Sequence, residues 1–385
     1  MKISYNWMKE YGALSKVGPD GAPTAEEFAQ KLDSAGYDVE GVTAVEAGED
    51  GRSVADQVID VRYPRSRRDL TCMMWNAKEL CGIYGIFYHD FALYGLYVPT
   101  NDWMRDVTEE TELHLVSTTR LCKMMCGRIA NDAKAKPLPQ WYRDRAIAQG
   151  VPMADDYEEL QVFVGRNVGQ PLWLFDLETL PSREICAQEA TVAGTLVDGE
   201  VEYAYEPGDL VLVCGGKVIS VAGVVVDDSV KPSEGTRSLV LFSGVMDPDE
   251  VRRVAARLEV HNFNEQLAAL GANAADVLKT LTNSTGIICD HWGAGGFEAL
   301  EIYNKFDMTR KFLTYTVEEV NELLDSDYTF EDIKAALDNP ELNTYRIDDT
   351  RITTMFPSYR TDNHVCDIAQ SLLTYMGCDR VGSVC

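Results

Sequence analysis

Ten cysteines and five histidines give this sequence its widest chemical reach. Cys122 and Cys126 form a CxxxC pair, half of a zinc-like set, but no second Cys or His pair stands at ligand spacing. The histidines at 89, 114, 261, 291 and 364 never fall within four residues of one another, which excludes a helical His-pair metal site. Cys289-Asp-His-Trp292 followed by Gly293-Ala-Gly-Gly296 brings together a thiol, a carboxylate, an imidazole and a glycine-rich turn. Its plainer reading is a loop behind a helix cap, and a Cys–His nucleophilic dyad is a matter of geometry that spacing does not decide. No GxxxxGK[ST], strand-linked GxGxxG, HExxH or GxSxG string occurs. Most cysteines lie in apolar runs such as LVLVCGG and GIICD and read as reduced core thiols.

The elements that would position these groups divide the chain into three modules, 1–100, 113–305 and 310–385. In the first, Lys2-Ile-Ser-Tyr5 reads as a strand, and Thr24-Ala-Glu-Glu27 as a capping box opening a helix through Phe28, Leu32 and Ala35. Asp38–Val42 and Gln57–Val61 follow as strands and Asp69–Tyr84 as a helix. The central module is strand-rich, with β-branched runs at Val192–Val197, Asp209–Cys214, Lys217–Val226 and Ser238–Phe242. Asp247-Pro-Asp-Glu250 then caps a helix. In the last module Thr316-Val-Glu-Glu319 and Thr329-Phe-Glu-Asp332 open two short helices, before strands at Thr344–Ile347 and Arg351–Met355 and a final helix from about Asp367 to Met376. The expected fold class is α+β, a central open-sheet domain flanked by two small helix-strand modules of similar plan, which a weak internal duplication explains.

Composition bounds the function. With 35 basic and 62 acidic residues among 385, the formal charge is −27 on a 45% hydrophobic chain. Such a chain folds, and its acidity argues against a protein that coats nucleic acid through Lys and Arg. The longest apolar stretch, Leu210 to Val226, is broken by Gly215, Gly216, Lys217 and Ser220, so no membrane span is expected. The opening MKISYNWMKEY lacks the apolar core of a signal peptide. A cytoplasmic location is the expectation.

Longer strings carry a family resemblance. MKISYNWMKEY and KLDSAGYDVEGV (31–42) resemble the start of bacterial phenylalanyl-tRNA synthetase β chains. PLPQWYRDRAIAQGV (137–151), VGQPLWLFDLETL (168–180), GDLVLVCGGKVISVAGVV (208–225) and VMDPDEVRRVAARLEVH (245–261) resemble successive segments of that family's editing module. PSYRTDNHVCDIAQSLLTYMGCD (357–379) resembles the end of the small module after it. The resemblance implies a truncated paralogue. The family's tRNA-binding insert would fall between Val42 and Val58, where about fifteen residues stand, and its synthetase-like core, which contacts the catalytic α chain, would begin where this sequence stops.

The resemblance also implies an altered editing pocket at Gln170, Pro171, Trp173, Phe242 and Ser243. Trp173 matches the family's pocket His and Phe242 its pocket Glu; Gln161 and Val162 match an upstream Thr-Asn pair, and Val226 and Asp227 a closing Gly-Gly. Hydrolysing an aminoacyl ester needs a placed water and polar groups for developing charge, and two large aromatics remove both. Asp362 and Asp367 match the first two ligands of an all-oxygen magnesium site, while its acidic pair matches Gln370 and Ser371. Magnesium, as the one implied cofactor, is thus left a degenerate site.

The favoured reading is a non-catalytic β-chain-like protein that binds a protein partner or an amino-acid-like ligand, with tRNA binding weak or lost. One alternative is a subunit of a phenylalanine-tRNA ligase type complex. The other is a trans-acting hydrolase of mis-charged tRNA, which needs a basic path; its candidates are Arg62, Arg65, Arg67, Arg68, Arg143 and Arg145. The deciding observation is whether Trp173 and Phe242 plug the pocket or line an open cavity that exposes Gln170 or Ser243.

Overall fold

The computed structural model describes the chain apart from residues 12–13, 18–20, 47–53, 65–66, 87–106, 152–154, 272, 308, 339–341, 358–359, 361–363 and 377–385. It forms two compact units, one from residues 1–96, 147–150 and 308–385, the other from 97–146 and 151–307. The terminal segments, which read as separate modules, therefore share one unit.

That unit repeats one plan. Its first half runs β1 (Lys2–Ser4), α1 (Tyr5–Glu10), α2 (Ala25–Ser34), β2 (Asp38–Val45), β3 (Asp56–Arg62) and α3 (Met73–Ile83). The three strands pair antiparallel in the order β1-β3-β2. At α2, Thr24 accepts from the Glu27 N–H while Glu27 reaches back to the Thr24 N–H, the reciprocal cap its sequence announces.

The central unit contains β4 (His114–Ser117), β5 (Cys122–Asn131), α4 (Gln140–Ala148), α5 (Asp156–Val168), β6 (Trp173–Asp176), β7 (Glu184–Glu189), β8 (Gly194–Asp198) and β9 (Val201–Tyr205). It continues with β10 (Leu210–Cys214), β11 (Lys217–Val221), β12 (Val225–Val226), β13 (Leu239–Met246), α6 (Pro248–Leu258), α7 (Phe263–Leu270), α8 (Ala274–Ile287), β14 (Gly296–Phe297) and β15 (Glu301–Asn304). One sheet is ordered β12-β11-β10-β7-β4, parallel only at β4–β7, and the other β14-β5-β13-β6 with β15 also on β5. Their inward residues, among them Ile129, Phe175, Leu212, Val221 and Phe242, form one buried core that Val251 and Val254 of α6 complete. Burial of this apolar surface is the main stabilising term, at about 25 cal/mol per Å² removed from water.

The last half of the terminal unit runs β16 (Lys311–Thr316), α9 (Val317–Leu324), α10 (Phe330–Asp338), β17 (Asn343–Arg346), β18 (Arg351–Phe356) and α11 (Val365–Met376), its sheet ordered β16-β18-β17. Element order and strand order both match the first half, as a duplication requires. The matching turns before the last helices carry Pro64-x-x-Arg67-x-Asp69 and Pro357-x-x-Arg360-x-Asp362, with Arg67 N–H on the Pro64 carbonyl at 2.9 Å and Arg360 N–H on that of Pro357 at 3.1 Å. The two halves meet through these helices: Arg67 donates to Asp69 and Glu79 at 2.8 Å each, and the Tyr375 hydroxyl donates to Glu79 at 3.2 Å.

One expectation changes. Lys217–Val226 is not one strand, because Ala222 and Gly223 take left-handed φ values of +48° and +67° and turn the chain between β11 and β12. Most cysteines are reduced, as expected: Cys72, Cys81, Cys122, Cys126, Cys186, Cys214 and Cys289 are in no disulfide, while Cys366 is disulfide-bonded. Among the described residues no helix is long and apolar enough to cross a membrane.

Candidate functional site

Antiparallel pairing of β6 with β13 sets Trp173 directly opposite Phe242. Their rings lie 5.8 Å apart at 53°, and Phe175 stands 5.9 Å beyond Phe242. Phe242 is wholly buried and Trp173 nearly so. The Trp173 indole N–H donates to the Gly223 carbonyl at 3.0 Å, so the tight turn that splits β11 from β12 is also what satisfies this side chain. Gly223 fits there for two reasons: its φ is left-handed, and a Cβ would fall 2.6 Å from Trp173 Cζ2. The two aromatics therefore plug the place between the strands, as packed side chains.

Beside the plug a cavity of about 310 Å³ remains, with Trp173 in its wall. Gln161, Val162 and Val226, three further positions that the resemblance maps to the family's pocket, line it as well. Phe242 stands behind Trp173, and Gln170, Pro171 and Ser243 are not in the lining. Gln170 is buried with its Nε2 on the Asn273 carbonyl at 2.7 Å, and the Ser243 hydroxyl donates to the Pro171 carbonyl at 2.7 Å. Asp227 is also drawn away. Burial would raise its carboxyl, but Lys217, Ser229 and the Val197 N–H hold it at about 2.

The sequence reading missed the polar and aromatic remainder of the lining, Asp155, Tyr157 and Glu158 at the start of α5, Asp198 of β8, Lys231, and Asn262, Phe263 and Asn264 at the start of α7; Leu174, Gly223, Val224 and Pro232 complete it. Asp155 caps α5 by accepting from the Glu158 N–H at 2.8 Å, and Asn262 caps α7 through Glu265 N–H at 2.8 Å. Both caps are legible as Asp or Asn three residues before Glu. Lys231 bridges Asp198 and Asp228; burial works against its charge, but these carboxylates hold its ammonium above the usual lysine range.

The other sequence candidates fall elsewhere. Cys122 and Cys126 are buried on β5, and burial pushes both thiols up to about 12, the opposite of what a nucleophile or ligand needs. Cys289–Trp292 continues α8 as a π-helical turn that ends at left-handed Gly293; His291 meets the Tyr142 hydroxyl at 3.1 Å. For magnesium, Asp362 lies outside the described residues, and the Asp367 carboxylate caps α11 by accepting from the His364 N–H at 2.9 Å. The Arg360 guanidinium donates to the Ser371 hydroxyl at 2.8 Å, placing a cation where the resemblance puts an acidic ligand. No group of three metal-ligating side chains occurs among the described residues.

Arg67 is committed to Asp69 and Glu79, Arg62 to Glu40 and Arg143 to Glu159; Arg145 is buried against the Trp141 ring at 4.0 Å. Arg65 lies outside the described residues and Arg68 is exposed.

Residues 121–293, which hold the plug and the cavity, match the B3/4 domain family. The phenylalanine–tRNA ligase beta subunit of Geobacter sulfurreducens is 23% identical over 86% of this chain and 41% of its own length; that of Streptococcus pneumoniae is 24% identical over 72% and 34%. The chain is similar to phenylalanine–tRNA ligase beta subunits. It spans between about one third and two fifths of the length of these relatives. An N-terminal fragment of the phenylalanyl-tRNA synthetase beta subunit from Pyrococcus horikoshii superimposes with a TM-score of 0.50 at 12% identity, covering 98% of this chain and 99% of that one. The α+β fold with open sheets is thus the fold of that fragment.

Proposed function

We propose that this beta-subunit-like chain is a binding protein without hydrolytic activity, its B3/4-type unit retaining a pocket for a small, amphipathic molecule of amino-acid size. The observation that carries this is the Trp173–Phe242 pair. It replaces polar groups at the positions matching the family's pocket with buried rings, while leaving beside them a cavity large enough for one ring-bearing molecule. A hydrolytic site must stabilise a developing oxyanion with aimed donors, and here the Trp173 N–H is spent on the Gly223 carbonyl, while Asn262 Nδ2 donates to the Val224 carbonyl and the Lys231 ammonium sits between Asp198 and Asp228.

The purified chain is expected to leave tyrosine mis-attached to phenylalanine tRNA at the rate of its spontaneous hydrolysis, measured as loss of labelled tyrosine from the tRNA. Acceleration that disappears in Trp173→Ala or Asn264→Ala would overturn the proposal in favour of a trans-acting hydrolase.

A further inference from the structure

We infer that the outward face of the β16-β18-β17 sheet in the terminal unit docks an amphipathic acidic helix of a partner protein. Helices α9 to α11 cover one face of this sheet, where Tyr315, Ile352 and Phe356 share a core with Val320, Ile333 and Leu372. The other face of a half-covered antiparallel sheet ordinarily turns polar side chains to water. Here the register sets Phe312 opposite Met355 and Thr353 opposite Tyr345, with Ile347 just past the end of β17. Phe312 is 63% exposed, Tyr345 50% and Ile347 48%. The first half of the unit supplies an internal comparison. Counted back from the matching Pro64 and Pro357, Arg62 and Asp60 hold the places of Met355 and Thr353, and they pair with Asp38 and Lys2. One copy of the duplicated surface is thus charged, with Arg62 bridged to Glu40, and the other is apolar.

Two properties select the occupant. The first is size. Three strands about 4.8 Å apart and about five residues long at 3.3 Å each make a patch of roughly 240 Å², well under the ~800 Å² per partner that a stable dimer buries. One helix laid across the sheet covers it, adding on the outside the layer that α9 to α11 make on the inside; a second copy of the chain needs more surface. The second property is charge. In a chain of net charge −27, strands β16, β17 and β18 contain Lys311, Arg346 and Arg351 and no acidic residue. Arg310 lies on the apolar face, its Nη1 3.9 Å from Met355 Sδ, and has no carboxylate partner among the described residues. Arg346 and Arg351 are tied to Glu331 and Asp348. This leaves too few free cations to follow a phosphate backbone, but one to hold a carboxylate beside Phe312. At physiological ionic strength the screening length is about 8 Å, so a docked helix feels Arg310 more than the distant negative charge.

The test is fluorescence anisotropy of labelled peptides with the full chain at physiological salt. Three peptides of about 18 residues, roughly five helical turns, carry a leucine stripe with glutamates elsewhere, the same stripe with lysines elsewhere, and the glutamate composition with its stripe scrambled. The glutamate helix is expected to bind saturably, at least threefold more tightly than the lysine helix and tenfold more tightly than the scrambled peptide. Phe312→Ser is expected to weaken it at least fivefold and Arg310→Gln at least twofold. Arg62→Gln, the same loss of charge on the duplicate face, should change nothing, and urea unfolding coincident with that of the parent shows that each variant keeps its fold. Absence of saturable binding, preference for the lysine helix, or binding indifferent to Phe312→Ser would overturn the inference. Dimerisation of the chain abolished by Phe312→Ser would give the face to a second copy, and displacement of the peptide by a single-stranded RNA oligonucleotide would give it to nucleic acid; either result overturns it as well. None of these results bears on the cavity of the central unit.

Discussion

Trp173 is the side chain on which the central unit's packing and its chemistry depend together. Replacing it by alanine removes a buried indole between Phe242 and the Gly223 turn and leaves the Gly223 carbonyl without its donor. The expected loss, read by urea unfolding of the full chain, is about 3–5 kcal/mol, with a severalfold weakening of any cavity ligand. Trp173→Phe keeps most of the volume and loses the N–H, so about 1–2 kcal/mol is expected. The resemblance named Trp173 and Phe242 as site residues and their pairing is legible once β6 and β13 are set side by side. Lys231, Asp198 and Asn264 were not, because the cavity is assembled from a hairpin, a loop and a helix start that only folding brings together. The turn at Gly223 was hidden inside a run of β-branched residues, where its sole signal was a glycine in a strand pattern.

At the scale of elements, the helix caps were the most legible features, since a cap is a local bargain between a side chain and three successive N–H groups. Thr24, Asp247 and Thr316 all accept from the N–H groups their spacing predicts. The strand β5 was missed for the opposite reason. Met124 to Ala130 are buried on both faces, so CKMMCGRIA shows no alternation of apolar and polar residues. The contact of α3 with α11 was invisible to local pattern altogether, as it joins Glu79 to Tyr375. Burial alone would raise the Glu79 carboxyl, but Arg67 and the Tyr37 hydroxyl hold it below its ordinary value. Its contribution is therefore full above the unfolded carboxyl value, about 4.3, and lost as pH falls through the lower folded value. Arg67→Met is expected to cost the terminal unit about 3–5 kcal/mol at pH 7 by stranding Glu79 and Asp69. The gap between variant and parent should narrow in acid unfolding below about pH 4, where protonation removes the charges Arg67 was answering. A gap independent of pH would mean that Arg67 acts by packing alone.

For the whole molecule, the −27 charge and the internally committed arginines make one forecast. Binding to phenylalanine tRNA, measured by filter retention, should be weak at physiological salt, because few phosphates can be neutralised. Sub-micromolar binding at that salt would contradict it. The order of segments along the chain sets a further condition. The terminal unit is interrupted by the central one, so residues 1–96 find their duplicate only after 308–385 have been made. On a ribosome the central unit can finish first as a self-contained body, while Arg67, Asp69 and Glu79 wait for Tyr375 at a sequence distance of 296 residues from Glu79. Closing so long a loop is slow relative to local folding. The first half therefore passes the synthesis of the central unit with the Glu79 face of α3 lacking Tyr375, which makes assembly of this unit a late event.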